Sequence, residues 1–387
     1  MTIFQRTIKP QIEEGLFQGK IIIIYGARQV GKTTLAKSIL NEQQALGKQG
    51  VYFNCELDSV RSALAIKEAE RLQSFLGDND LIILDEAQNV PEIGKILKII
   101  HDEIPEIQII ATGSSSFDLA DKTAEPLTGR HFSFVLHPLS VQEIVHAEKL
   151  GLVGLEAKLE QILRFGAYPE SYSISDENKK IQHLNSVASD YLYKDVLKFE
   201  GLKKAPIIGD LLKLLALQIG QEVSMQSLAS KLGISRITVE KYIDILEKSF
   251  VLVRLRPLSR NAYRAVSRKN KIYFWDLGIR NSLIQNFNPL ALREDVGGLW
   301  ENFCIAERMK RNGDNKYFAN IYFWRSYAGQ EVDYIEEAGG KFEAFEFKWG
   351  QTKKIKTPSE FFATYNTRLQ KIDRDNYTEF VTKLKQK

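Results

Sequence analysis

Nine consecutive residues, Gly26, Ala27, Arg28, Gln29, Val30, Gly31, Lys32, Thr33 and Thr34, have the types and spacing needed to hold a phosphate chain. In G-x-x-x-x-G-K-T the glycines let the loop turn its backbone N–H groups inward around phosphate oxygens. A helix opening at Gly31 adds a favourable field for anions. Lys32 is placed to reach the β- and γ-phosphates of ATP as a point charge, and the Thr33 hydroxyl to ligate Mg²⁺. Downstream, Asp85 and Glu86 close an apolar run. Asp85 suits holding Mg²⁺ through water, and Glu86 suits orienting and polarising the attacking water as a base. Further on, Thr112 or Ser114 is positioned to touch the γ-phosphate or that water; the spacing does not choose between them. Arg130, in L-T-G-R, would stabilise charge on the transferring phosphoryl group, in its own subunit or in the next copy of a homo-oligomer.

A second constellation lies near the C-terminus. Glu346-Phe347-Lys348 puts a carboxylate and an amine on one face of a strand. Asp333, on the run before it, can point the same way. Together Glu301, Asp333 and Glu346 offer hard oxygens to Mg²⁺. Lys348 would then orient a water or steady charge at a phosphodiester. Alternating charges on an amphipathic strand give the same pattern without chemistry.

The elements that position these residues alternate in type. Ile21–Tyr25 reads as a strand buried on both faces, Leu81–Glu86 as an apolar strand ending in two carboxylates, Val51–Asn54 as another, and Ile107–Ala111 and Phe132–Leu136 as two more. Helical spacing fills the gaps, so a doubly wound, mostly parallel α/β sheet is expected. Ser140-Val141-Gln142-Glu143 is a capping box that starts a helical stretch running with breaks to about residue 200, read as a lid on the nucleotide domain with Arg164 as a second-sensor candidate. From Pro206 to Ser282 the order helix, turn, helix, two strands and a wing predicts an α+β winged helix. Val239, Tyr242, Ile243 and Leu246 fall on its inward stripe. Arg236, Thr238 and Lys241 are left to meet DNA, and glutamate at position 240 argues against close approach to its backbone. Phe250–Lys271 has no acidic residue and carries Arg254, Arg256, Arg260, Arg264, Arg268, Lys269 and Lys271, a cluster suited to phosphates.

At 387 residues the chain exceeds what one core supports. Its net charge of +4, from 53 basic and 49 acidic side chains, forces no nucleic-acid reading by itself. Two distant cysteines, Cys55 and Cys304, suit a reducing compartment and argue against zinc. No apolar run approaches the length of a membrane span, so a cytoplasmic protein without a membrane partner is expected.

The ordered set G-A-R-Q-V-G-K-T, L-I-I-L-D-E-A-Q, A-T-G-S-S-S, L-T-G-R, H-P-L-S-V-Q-E (137–143) and F-G-A-Y-P-E (165–170) resembles the AAA-type ATPases of bacteria and archaea fused to a C-terminal domain of unknown function. The resemblance implies an AAA-type sheet with a central P-loop strand, ATP and ADP as ligands, and an α/β C-terminal domain similar to restriction-endonuclease-like nucleases. The expected division is 1–137 nucleotide domain, 138–205 lid, 206–283 winged helix and 284–387 nuclease-like domain. The expected function is ATP-dependent action on DNA, or else a nucleotide-controlled signalling or docking switch with an inactive nuclease-like domain.

Overall fold

A computed structural model describes residues 4–113, 127–191, 205–259, 269–350 and 354–382. They form two compact units, one of Gln5–Pro138 with Lys248–Phe250, the other of Met1–Phe4, Leu139–Glu247 and Val251–Lys387.

The first unit begins with helix α1 (Lys9–Glu14) and strand β1 (Ile21–Tyr25). Helix α2 (Lys32–Ala45), β2 (Gly50–Asn54), α3 (Asp58–Leu64), α4 (Ala69–Leu76), β3 (Leu81–Asp85), α5 (Ile93–Glu103), β4 (Gln108–Gly113) and β5 (His131–Val135) follow. The strands form one parallel sheet in the order β2-β3-β4-β1-β5. Strand β1 is flanked on both sides but is the fourth of five, so the expected central P-loop strand is interior rather than in the middle. Every residue of β1, β3 and β4 is buried, which explains their unbroken apolar runs. Because all strands run the same way, their carboxyl ends meet at one edge of the sheet, where the loop after β1 and the acids after β3 must lie.

The second unit starts with α6 (Val141–Glu148), α7 (Leu152–Phe165), α8 (Pro169–Ser173) and α9 (Glu177–Tyr191). The capping box at Ser140 and Glu143 is present in both directions. These helices, expected as a lid, group with the C-terminal part of the chain. Their apolar faces (Leu155, Leu159, Leu163) share a core with Tyr273, Leu277 and Trp300. The F-G-A-Y stretch is structural too. The buried Asp276 carboxylate accepts the Ala167 N–H at 2.7 Å, and a Cβ on Gly166 (φ +68°) would lie 2.2 Å from an Asp276 oxygen. Arg164 is bound by Glu177 at 3.1 Å and by the Phe287 carbonyl at 3.0 Å.

Then come α10 (Ala205–Leu217), β6 (Glu222–Val223), α11 (Met225–Leu232), α12 (Arg236–Lys248), β7 (Leu252–Pro257), β8 (Asn270–Phe274) and α13 (Leu277–Leu283). The stripe of Val239, Tyr242, Ile243 and Leu246 is buried. The remaining elements are α14 (Val296–Asp314), β9 (Asn320–Arg325), β10 (Glu331–Ala338), β11 (Lys341–Phe347), α15 (Ser359–Tyr365), β12 (Leu369–Ile372) and α16 (Tyr377–Val381). A single seven-stranded sheet, β12-β11-β10-β9-β7-β8-β6, runs through this unit. The join is the parallel pairing of Arg256 and Pro257 with Tyr322 and Phe323. Residues 206–283 and 284–387 therefore share one sheet instead of forming separate bodies.

Candidate functional site

Strand β1 delivers the chain to Gly26, whose φ of +155° and surroundings both require glycine: a Cβ would stand 2.2 Å from the Leu136 carbonyl oxygen. Gln29 (φ +60°) and Gly31 (φ +97°) continue the turn, and Gly31 is the N-cap of α2. Ala27 and Val30 point into the core, whereas Arg28 is half-buried and Gln29 and Thr34 are exposed. The loop thus presents backbone rather than side chains. Lys32 is 4% exposed, and its ammonium donates to the carbonyls of Gly26 at 2.9 Å and Ala27 at 2.8 Å. The charge is held over the loop whose phosphates it is suited to meet.

Asp85 is the hub of the opposite wall. Its carboxylate accepts hydroxyls from Thr33 at 2.8 Å, Tyr52 at 2.7 Å and Thr112 at 2.6 Å. Thr112 also accepts the Glu86 N–H at 3.0 Å, so one buried hydroxyl fixes both acids. Glu86 adopts φ +53°, an uncommon conformation for a residue with a side chain. The Gln88 amide donates to its carboxylate, and that of Asn89 to its carbonyl at 3.0 Å. The Thr33 hydroxyl and Asp85 carboxylate are hard oxygens in contact, the donor chemistry Mg²⁺ takes alongside water and phosphate. They fit the ion and would hold it, supplying charge neutralisation at the phosphates.

Tyr52 escaped the sequence reading. It sits on β2, and its phenol is kept protonated by burial and then by Asp85, so it serves as a donor. Burial, then Asp85 and Glu86, likewise pushes the Cys55 thiol up to about 12. Only its β-strand context and its spacing before Asp85 hinted at Tyr52.

Of the other expected residues, Ser114 lies outside the described residues. Arg130 lies where it cannot serve its own subunit. Its carbonyl accepts the N–H of Ile21, the first residue of β1, and its side chain pairs with Asp102 at 2.8 Å. It therefore marks the amino edge of the sheet, about 16 Å along β1 from the loop.

In the second unit the C-terminal constellation gathers. The β10–β11 register sets Tyr334 opposite Phe345, so Asp333 stands opposite Glu346. Asp333 accepts the Phe347 N–H at 2.9 Å, and Lys348 donates to Glu346 at 2.6 Å. Glu301, on α14, faces the cluster from beneath Tyr273, whose hydroxyl donates to it at 2.6 Å. The centre, however, is taken by Lys271 on β8. Its side chain is 2% exposed; the ammonium lies 2.8 Å from Glu301, 3.8 Å from Asp333 and in contact with Glu331. Among the described residues no group of three His, Cys, Asp or Glu side chains is arranged to hold a metal ion. Of the three carboxylates expected at a metal, Glu301 and Asp333 thus face the Lys271 ammonium, and Glu346 is paired with Lys348.

The same burial corrects the basic cluster. Lys271 faces carboxylates, and Arg254, 12% exposed in its side chain, pairs with Asp244 and Glu247. Arg260, Arg264 and Arg268 lie outside the described residues. Burial also governs the acids. It pushes Glu301 up to about 7 against the pull of Lys271, and raises Asp333 and Glu346. For Lys271 burial opposes the charge, but Glu301, Asp333 and Glu331 outweigh it.

A carboxylate raised from 4.5 to about 7 contributes stability that is complete below 4.5 and is lost as pH rises through about 7. Hydrogen exchange at β10 and β11 is therefore expected to quicken, beyond its intrinsic pH dependence, as pH is raised from about 5 to about 8. Glu301→Gln should flatten that excess.

The loop, its lysine and the Thr33–Asp85–Glu86 wall converge at the carboxyl edge of a parallel sheet, and the family comparison agrees: residues 18–145 match the model of the AAA domain. This segment is an AAA-type P-loop domain. Residues 156–290 and 296–378 of the second unit match two domains of unknown function, DUF8612 and DUF4143. An uncharacterized protein of Mycobacterium tuberculosis is 26% identical over 358 residues, 92% of this chain and 76% of its own. One from Methanocaldococcus jannaschii is 25% identical over 349 residues, 85% and 75% of the two chains. Among solved structures, AMPPCP-bound DnaA from Aquifex aeolicus is similar at 16% identity and a TM-score of 0.28, covering 63% of this chain and 86% of that one. The Pif1 helicase from Candida albicans is similar at 13% identity and a TM-score of 0.28, over 48% of each chain. No helix among the described residues is long and apolar enough to cross a membrane.

Proposed function

We propose that the chain binds Mg²⁺–ATP at the loop of residues 26–34 and hydrolyses it with Glu86 as base. The observation that carries this reading is the Thr112 hydroxyl, which ties Asp85 and the Glu86 backbone together at 2.6 and 3.0 Å beside the Thr33 hydroxyl. That triangle sets a metal-holding acid and a water-activating acid in fixed register next to a phosphate loop. Nucleotide state then acts on DNA through a winged helix formed by α10 to β8. The exposed Arg236 and Lys241 and half-buried Thr238 on α12, with the exposed Arg256 on β7, support this. The C-terminal part belongs to the reading as a restriction-endonuclease-like arrangement, with Asp333 and Glu346 on adjacent strands and Lys348 just past the end of β11, that does not cleave.

A second reading, a nucleotide-controlled docking switch that leaves DNA alone, is favoured by two pairings. Glu240 takes Arg236 at 2.8 Å, and Asp244 and Glu247 take Arg254. The ATPase rate measured with and without single- and double-stranded DNA decides between them. Stimulation of several-fold, lost on charge reversal at Arg236, Lys241 and Arg256 and weakened by salt, supports action on DNA. A rate indifferent to both forms supports the switch.

A further inference from the structure

Arg6 lies before the segment that matches the AAA domain, which begins at residue 18. Its guanidinium nevertheless reaches the back of the phosphate loop. Nη1 donates to the Val30 carbonyl at 2.6 Å and Nη2 to the His137 carbonyl at 2.6 Å, and the residue is 9% exposed. Nη1 is so close to the loop that a Cβ on Gly31 would lie 3.6 Å from it.

The segment carrying Arg6 is anchored along its length. Lys9 donates to Ser38 on α2 at 3.1 Å and pairs with Glu42; Ile12 is fully buried; the Phe17 N–H donates to the Gln108 side chain at 2.6 Å. The arginine is therefore held in place from the α2 side, and its fork joins two segments that already abut at Gly26 and Leu136.

We propose that Arg6 is a positioning residue for the phosphate loop, setting its affinity for the nucleotide's phosphates. The inference rests on the reading that this loop binds ATP. In a planar trans peptide the C=O and the following N–H point in opposite directions. Holding the Val30 carbonyl against Arg6, at the back of the loop, turns the Gly31 N–H the other way, into the loop. A phosphate needs inward N–H groups and is repelled by an inward carbonyl. The guanidinium also brings a fixed positive charge within reach of the bound anion. A planar fork can bridge two carbonyls; a lysine, with one point charge, cannot reproduce the bridge.

The test uses the full chain with a fluorescent ATP analogue, comparing wild type, Arg6→Ala, Arg6→Lys and Lys32→Ala for Kd and for kcat at saturation. Removing two charge-assisted hydrogen bonds should raise the Kd of Arg6→Ala by about 10- to 100-fold, with kcat within about threefold. Arg6→Lys should fall between wild type and Arg6→Ala. Amide exchange across residues 27–33 should quicken in Arg6→Ala while β3 and β4 keep their protection. Wild-type affinity in Arg6→Ala, with Lys32→Ala weakened, overturns the role of Arg6 and leaves the nucleotide site standing. Failure of the wild type itself to bind ATP overturns both. Should the alanine variant not fold, wild-type affinity in Arg6→Lys overturns the bridging role, and a several-fold loss supports it.

Discussion

Glu86→Gln should bind ATP as the wild type does and hydrolyse it about 10²- to 10⁴-fold more slowly, the size of a general-base contribution. The substitution keeps the side chain's shape and its place after Asp85 but leaves no carboxylate to polarise the attacking water. Its backbone remains tied to Thr112, and Asp85 still accepts from Thr33, Tyr52 and Thr112, so the metal and phosphate contacts persist. Lys32→Ala should give the converse. Without the buried ammonium over the loop, ATP affinity should fall by about 100-fold. Equilibrium binding of a labelled ATP and single-turnover hydrolysis separate the two. Wild-type turnover in Glu86→Gln would move the base elsewhere.

How much of this could be read in advance follows from the distance between partners in sequence. The phosphate loop is local. Strand, glycine turn and helix start occupy adjacent residues, and the reasons for Gly26 and Lys32 lie within the motif and the strand beside it. The Thr33–Asp85 wall was legible because strand ends in a parallel sheet share an edge. That rule also places Arg130: it precedes β5, so it belongs to the opposite edge. Its position was readable, yet its residue type suggested chemistry. Tyr52 and Arg6 were not legible, since their partners lie 33 and 24 residues away and neither belongs to a motif. Thr112 was foreseen only as one of two hydroxyls, and its bonds to the Asp85 carboxylate and the Glu86 N–H depend on partners 27 and 26 residues away. The core that receives the helices after residue 140 was hidden for a related reason. Amphipathic spacing shows that a helix buries a face without saying which core receives it; here Leu155, Leu159 and Leu163 go to the core containing Trp300.

Lys271 is the sharpest such case. In sequence it ends a run of arginines and lysines without any acid and reads as a phosphate contact. In the fold its neighbour across β8 is α14, and its partners Glu301, Glu331 and Asp333 lie 30 to 62 residues onward. Two of the carboxylates expected to hold Mg²⁺, Glu301 and Asp333, lie at this ammonium, while the third, Glu346, takes Lys348. Lys271→Met should therefore destabilise the second unit by about 3–5 kcal/mol, because buried acids lose the charge that offsets their desolvation. Denaturant unfolding and hydrogen exchange at β8 and β10 would read the loss. Glu301→Gln added to Lys271→Met should recover most of it. Glu301 pairs with the amine at 2.8 Å, and it also hydrogen-bonds Tyr273 as an amide oxygen can. Glu331 has the most solvent access of the three, with 27% of its side chain exposed, and can turn outward. Mg²⁺ provides the discriminating arm. If the amine has taken the cation's place, millimolar Mg²⁺ leaves the wild-type unfolding curve of this unit unchanged and no DNA is cleaved. If instead the carboxylates form a working cage, Mg²⁺ stabilises the wild type, and Asp333→Ala abolishes both that effect and the cleavage. The buried lysine, with three carboxylates around it, predicts the first outcome.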